Sequence, residues 1–144
     1  MWLILALLAS VLWGMTYVLN EKMFEYISVP TSLAIGLFFG CIAMMTLSIS
    51  QGNFLPDMHT LINSRRAMWL TSAGTVTFIL ADWLIAVSIH EKNAALASLI
   101  EITYPVFIII FAFLFFRELQ INLTIALGGI LAFAGVALVY WGSR

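Results

Sequence analysis

A carboxylate and a proline lie inside an apolar run, and together they carry the clearest chemistry in the sequence. Glu101 is the only charged residue between positions 94 and 116. A charge at the centre of a bilayer costs about 2.5 to 3.5 kcal/mol on insertion scales, so intramembrane carboxylates usually mark proton, ion or substrate sites. Pro105 follows one helical turn later and has no N–H to donate to the carbonyl of Glu101. We therefore predict a break in the helix at Glu101, with Pro105 as a structural hinge.

A second carboxylate, Asp82, lies in the preceding apolar run, and Thr71 and Thr75 share its stripe of the predicted helix. The connection HEKN is so short that the two runs must form an antiparallel hairpin. At 1.5 Å per residue, Asp82 and Glu101 then lie about 9 Å and about 12 Å from the shared end. If they face each other, they form a pair that binds and releases protons. Alternatively, each stays protonated and hydrogen-bonds a neighbouring helix, which is a structural role.

Aromatic side chains accompany these positions. Tyr104 follows Glu101 by three residues, and Trp83 adjoins Asp82. Aromatic rings beside a carboxylate suit an organic cation or a zwitterion through cation–π attraction. Packing is the alternative, because the chain is 14% aromatic and some rings fall near any site. A further aromatic pair, one turn apart in the first run, completes the candidate solute contacts: Trp13 and Tyr17.

The composition is that of an integral membrane protein. Hydrophobic residues make up 63% of the 144-residue chain and charged residues 9%, against about 25% charged in a typical soluble domain. A net charge of −1 provides no basic surface for nucleic acid. Cys41 is the only cysteine and is interpreted as a small apolar residue, and the two histidines, His59 and His90, lack metal-ligand spacing. No motif of an enzyme is present, so we expect no catalytic activity, no cofactor and no metal.

Five apolar runs predict five transmembrane helices in a single all-α transmembrane domain over residues 1–144. Each run is near the length of about 20 residues that a helical span requires. The connections between them are short, and the longest is QGNFLPDMHTLINSRR. Aromatic residues near the run ends, such as Trp2 and Trp69, are expected in the headgroup layer. The predicted spans cover residues 2–19, 31–50, 67–88, 93–116 and 121–141.

The sequence resembles the EamA-type half of the drug/metabolite transporter superfamily. The resemblance is carried by ASLIEITYPVFIIIFAFLFFREL followed by GGILAFAGVALV, and by the tryptophan-glycine pair in LWGMTYVLNEKM. The matching features are a proline inside the fourth span, a glutamate that closes it, a glycine-punctuated fifth span and Trp-Gly in the first. Here these are Pro105; Glu118; Gly128, Gly129 and Gly135; and Trp13 with Gly14.

That resemblance implies a secondary transporter of a small organic metabolite or cation in the inner (plasma) membrane, with proton-coupled export as one form of such transport. Typical members carry two five-helix halves in opposite membrane orientations, whereas this sequence supplies one half, as the related small multidrug resistance proteins do with four helices. We therefore expect a dimer in which each chain supplies one half of an inverted-repeat architecture. The alternative is a non-transporting membrane subunit that stabilises or regulates a partner protein. Two buried carboxylates favour the transporter.

The positive charges leave the membrane orientation of the chain open. Orientation follows the Lys/Arg bias of short loops, and here the two sides of the membrane are balanced, three against three. Dual insertion would let the chain form an antiparallel homodimer. A fixed orientation would instead require a parallel dimer or an oppositely oriented paralogue. With the N-terminus inside, the cytoplasmic side holds Arg65, Arg66 and Arg117, and the other side holds Lys22, Lys92 and Arg144.

Overall fold

The computed structural model describes residues 1–118 and 123–142, and the regular elements within these ranges are helices. A π-helical segment, Ala112–Phe116, follows α6 directly. The other elements, in chain order, are α1 (Trp2–Met23), α2 (Val29–Ser50), α3 (Phe54–Asn63), α4 (Arg65–Glu91), α5 (Ala94–Glu101), α6 (Tyr104–Phe111) and α7 (Leu123–Gly142).

Four helical segments of the described residues are long and apolar enough to cross a membrane. They are Trp2–Met23, Val29–Ser50, Arg65–Glu91 and Ala94–Phe116, while Ala126–Gly142 is a shorter apolar helix. The first residues of the predicted fifth span, Ile121 and Asn122, lie outside the described residues. The all-helical membrane fold is thus confirmed, whereas the count of five spans and the inverted-repeat architecture stay predictions.

The longest predicted connection contains a helix that the sequence analysis did not anticipate. Residues 54–63 form α3, and α4 extends beyond the predicted 67–88 at both ends. The apolar residues of α3 are spaced one and two turns apart on one side, but Pro56 and Asp57 interrupt them in the sequence. For this reason α3 does not stand out in the sequence as a continuous apolar run.

Two tight corners join α3 to its neighbours. After α2, the Gly52 N–H bonds the Ile49 carbonyl at 3.0 Å and the Asn53 N–H bonds the Ser48 carbonyl at 3.1 Å. This is the Schellman arrangement, which requires a left-handed residue, and Gly52 has φ of 72°. After α3, the single residue Ser64 leads into α4, and its hydroxyl accepts a hydrogen bond from the Ala67 N–H at 3.2 Å.

Gly52→Ala is expected to lower the free energy of unfolding by about 1 to 2 kcal/mol, because a Cβ disfavours the left-handed conformation. Unfolding in mixed micelles, titrated with a denaturing detergent, measures the change. Gly74→Ala is the matched control, since Gly74 lies inside α4 and a Cβ there meets no atom within 4 Å. Equal stability of the two variants would contradict the role of the positive φ.

The fold divides into two compact units, and each has its own buried residues. The first comprises Met1–Val18 and the described part of Glu91–Arg144, with Ala94 and Ala97 buried. The second comprises Leu19–His90. In the second unit the Phe24 ring lies edge-on to the His90 ring, with centroids 6.1 Å apart. Its buried residues are Phe24, Val29, Ser32, Ala86 and Ile89.

Candidate functional site

The apolar segment 94–116 is interrupted immediately after Glu101. Helix α5 ends at Glu101, Ile102 and Thr103 form a turn, and α6 begins at Tyr104 with Pro105 as its second residue. Within the turn, the Thr103 N–H bonds the Ile100 carbonyl at 3.3 Å, a tighter pattern than the α-helical one. The break therefore lies where the missing N–H of Pro105 predicts it. Its action as a hinge stays a prediction.

Thr103 stabilises this break and was missed by the sequence analysis. Its hydroxyl donates a hydrogen bond to the Ile100 carbonyl at 3.0 Å, so that carbonyl accepts both the backbone and the side chain of Thr103. Threonine hydroxyls commonly satisfy backbone carbonyls in this way. The signal available in the sequence was a threonine two residues before a proline inside an apolar run.

Glu101 is bonded to a distant residue of the first helix. The Tyr17 hydroxyl donates a hydrogen bond to Glu101 Oε2 at 2.6 Å, and both side chains are half-buried. That distance is typical of a hydroxyl bonded to a carboxylate. The structure thus brings together two of the predicted site residues, both of which belong to the first unit.

Trp13 extends this arrangement along α1. Its ring centroid lies 5.7 Å from that of Tyr17, with the planes tilted by 55°, which is a favourable geometry for an aromatic pair. The one-turn pair predicted from the sequence is therefore present. Trp13 remains 51% exposed. Trp13, Tyr17 and Glu101, which we call the α1–α5 cluster, form a continuous chain of contacts.

The position of Glu101 in its helix adds to the negative potential of the α1–α5 cluster. Glu101 is the last residue of α5, where the partial negative charge of the helix dipole is found. At the opposite end, the Asn93 side chain accepts a hydrogen bond from the Leu96 N–H at 2.8 Å and caps the helix. A carboxylate and a helix C-terminus at one place favour a bound cation.

Helix α7 comes close to the beginning of α6. A Cβ added to Gly129 would lie 3.3 Å from Val106 Cγ2, and Val106 directly follows Pro105. By contrast, a Cβ on the neighbouring Gly128 would meet no atom within 4 Å. Glycine at position 129 therefore allows a close approach between α7 and the segment that contains the break.

Gly129→Leu is expected to destabilise the protein by about 1 to 3 kcal/mol, because the added side chain overpacks this contact. Gly128→Leu, one residue away, is expected to have a much smaller effect. The detergent titration described for Gly52 measures both. If the two leucine variants unfold together, the approach of α7 to Val106 does not contribute to stability.

The remaining predicted site residues are placed as follows. Asp82 and Trp83 lie in α4 of the second unit; Asp82 is half-buried and Trp83 is 46% exposed. The pairing of Asp82 with Glu101 stays a prediction. On the same helix, the Thr75 hydroxyl bonds the Thr71 carbonyl at 2.8 Å, so this threonine is satisfied within α4. Tyr104 begins α6 beyond the break and is 57% exposed.

Long apolar helices, one of them broken beside a carboxylate, define the chain as an integral membrane protein with a polar site in a membrane-spanning segment. The chain belongs to the EamA-like transporter family, whose model matches residues 1–141. No individual curated protein and no solved structure matches the sequence.

Proposed function

We propose that this chain is a secondary transporter of a small organic cation and that the α1–α5 cluster binds the cation in exchange for protons. Membership of a transporter family supports transport over the role of a non-transporting subunit. The observation that carries the proposal is the hydrogen bond from Tyr17 to Glu101 at the break between α5 and α6. It fixes a carboxylate inside a membrane-spanning segment, beside aromatic rings that attract organic cations.

Exchange follows from the single negative charge of Glu101. The carboxylate is neutralised either by a proton or by a cation, and binding of one opposes binding of the other. An uncompensated charge in a site of low dielectric constant costs several kcal/mol. The site therefore passes readily from one side of the membrane to the other only when a proton or a cation is bound to Glu101. As a result, the flux of cations is coupled to a flux of protons.

Asp82 is proposed as the nearest acidic neighbour of Glu101 and as a second proton-binding group, with Trp83 and Tyr104 as further solute contacts. This part of the proposal rests on the short connection between α4 and α5, residues 92 and 93. Asp82→Asn keeps the size of the side chain and removes its charge. If this variant transports at the unmodified rate across a pH series, Asp82 does not take part in coupling.

Uptake into proteoliposomes tests the proposed function. The protein is reconstituted with tetraphenylphosphonium outside and a pH gradient of either sign across the membrane. We expect accumulation driven by the gradient that is acidic inside, together with release of protons from the lumen. Protein-free vesicles and a protonophore provide the controls. If a set of cationic, zwitterionic and neutral solutes shows no movement linked to the pH gradient, proton-coupled transport is excluded.

We further propose that the functional unit is a homodimer in the inner (plasma) membrane, with antiparallel chains that form an inverted repeat around the site. The even distribution of Lys and Arg supports dual insertion, although Arg144 lies outside the described residues. Lys22 forms an exposed ion pair with Glu25 at 2.8 Å, next to the end of α1.

Labelling of cysteines placed at each terminus in intact cells tests the orientation. Labelling of one terminus alone would exclude dual insertion, and the remaining alternatives would be a parallel dimer or a paralogous partner.

A further inference from the structure

We propose that α3 is an interfacial helix whose apolar side enters the headgroup region of the bilayer. It has ten residues and is therefore about 15 Å long, half the roughly 30 Å of a hydrocarbon core. It follows one membrane-spanning helix, α2, and precedes another, α4. A helix in this place that is too short to cross the membrane lies at its surface.

The side chains of α3 separate into an apolar and a polar side. At 100° per residue, the apolar residues occupy an arc of about 120°. The polar side carries Asp57, His59, Thr60 and Asn63, and the Asn63 side chain bonds the His59 carbonyl at 2.8 Å. The apolar arc consists of Phe54, Leu55, Met58, Leu61 and Ile62.

Part of the apolar arc is covered by the protein and part is not. Phe54 and Leu61 are half-buried, whereas Leu55 and Ile62 are each 77% exposed. Leu55 and Ile62 are seven residues apart, two helical turns, and therefore project to the same side. Interfacial helices bury such a side about 5 to 10 Å deep, between headgroups and acyl chains.

The residues that follow α3 indicate lipid as the occupant of this surface. Arg65 and Arg66 begin α4 and are both exposed, so two positive charges lie at the end of α3. Such a pair is complementary to lipid phosphates, and most strongly to anionic headgroups. Trp69, one turn later, is 61% exposed, and tryptophan is enriched at membrane interfaces. The charges, the aromatic ring and the apolar side of α3 thus occur within sixteen residues, 54–69.

The corner at Ser64 keeps α3 at this level. One residue in an extended conformation, with φ of −113° and ψ of 105°, separates α3 from α4. The hydroxyl of the same residue caps α4 through the Ala67 N–H. Because one residue connects the two helices, α3 stays next to the end of a membrane-spanning helix.

Quenching of a fluorescent label tests the proposal with the full chain in lipid nanodiscs. Cys41→Ser removes the single native cysteine, and bimane is attached to Ile62→Cys or to Thr60→Cys. Thr60 is the matched control, two residues away and on the opposite side of α3. We expect headgroup-nitroxide lipids to quench the label at position 62 several-fold more than the label at 60. Aqueous iodide is expected to give the reverse order.

Two results would overturn the proposal. Equal quenching by iodide at positions 60 and 62 places both sides of α3 in water. Protection of position 62 from both quenchers means that protein, such as a second copy of the chain, covers it. Leu55→Cys provides an independent reading of the same side if Ile62→Cys fails to fold.

The role of the arginine pair is tested by the lipid composition. Lipid quenching at position 62 is expected to increase when phosphatidylglycerol replaces part of the phosphatidylcholine. The double variant Arg65→Gln, Arg66→Gln is expected to lose this increase. An increase of the same size in the double variant would exclude the pair from lipid recognition.

Discussion

Glu101→Gln is expected to weaken the binding of an organic cation by about 30-fold or more and to abolish its coupling to protons. Glutamine keeps the length of the side chain, and its carbonyl still accepts the Tyr17 hydroxyl. The negative charge is lost, and removal of one member of a buried charge pair costs about 2 to 5 kcal/mol, where 1.4 kcal/mol corresponds to a factor of ten. Equilibrium binding and proteoliposome uptake across a pH series measure the two effects.

Tyr17→Phe separates the role of the hydroxyl from that of the ring. It keeps the aromatic pair with Trp13 and removes the donor to Glu101 Oε2. Since a hydrogen bond to a charged group contributes about 1.5 to 3 kcal/mol, we expect cation binding to weaken by about 10- to 150-fold. Glu25→Gln is the control for Glu101→Gln, because it removes one negative charge at an exposed position outside the α1–α5 cluster. Normal pH-dependent uptake by Glu101→Gln would assign Glu101 a structural role.

Pro105→Ala is expected to slow transport by about an order of magnitude while leaving the protein folded and at least as stable. Alanine supplies the missing N–H, so α5 and α6 can join through residues 102 and 103. In a helix interior, alanine is favoured over proline by about 3 kcal/mol. A continuous helix would remove the turn that holds Glu101 at the end of α5. Uptake rates and thermal unfolding, measured on the same preparations, give the two readings.

Pro30→Ala is the matched control for this substitution. Pro30 is the second residue of α2, as Pro105 is of α6, but it follows an ordinary chain connection instead of a break inside a span. We expect unchanged transport from Pro30→Ala. Transport by Pro105→Ala at the unmodified rate would show that the break is not needed for the transport cycle.

The sequence predicted the features that depend on local spacing. The break at Glu101 follows from one proline, and the pair of Trp13 and Tyr17 follows from a separation of one helical turn. The contact between Tyr17 and Glu101 joins residues 84 positions apart. No periodicity in a single sequence specifies which faces of distant helices meet, so both residues were predicted as site members but not as partners.

Helix α3 illustrates a different limit of prediction from sequence. Its apolar residues face one side only, and the polar residues between them kept its average hydropathy below that of a span. Amphipathic periodicity over ten residues was the signal available. The corner at Ser64 depends on a cap that a serine before an apolar run suggests, but only the structure shows that a single residue serves both helices.

The corner at Ser64 also ties the position of α3 to that of α4. Only one residue separates the two helices, so a movement of the first turn of α4 along the membrane normal carries the end of α3 with it. If α3 lies among the lipid headgroups, as proposed, such a movement changes the depth of its apolar side in the bilayer. The lipid composition would then affect the energy of α4, the helix that carries Asp82.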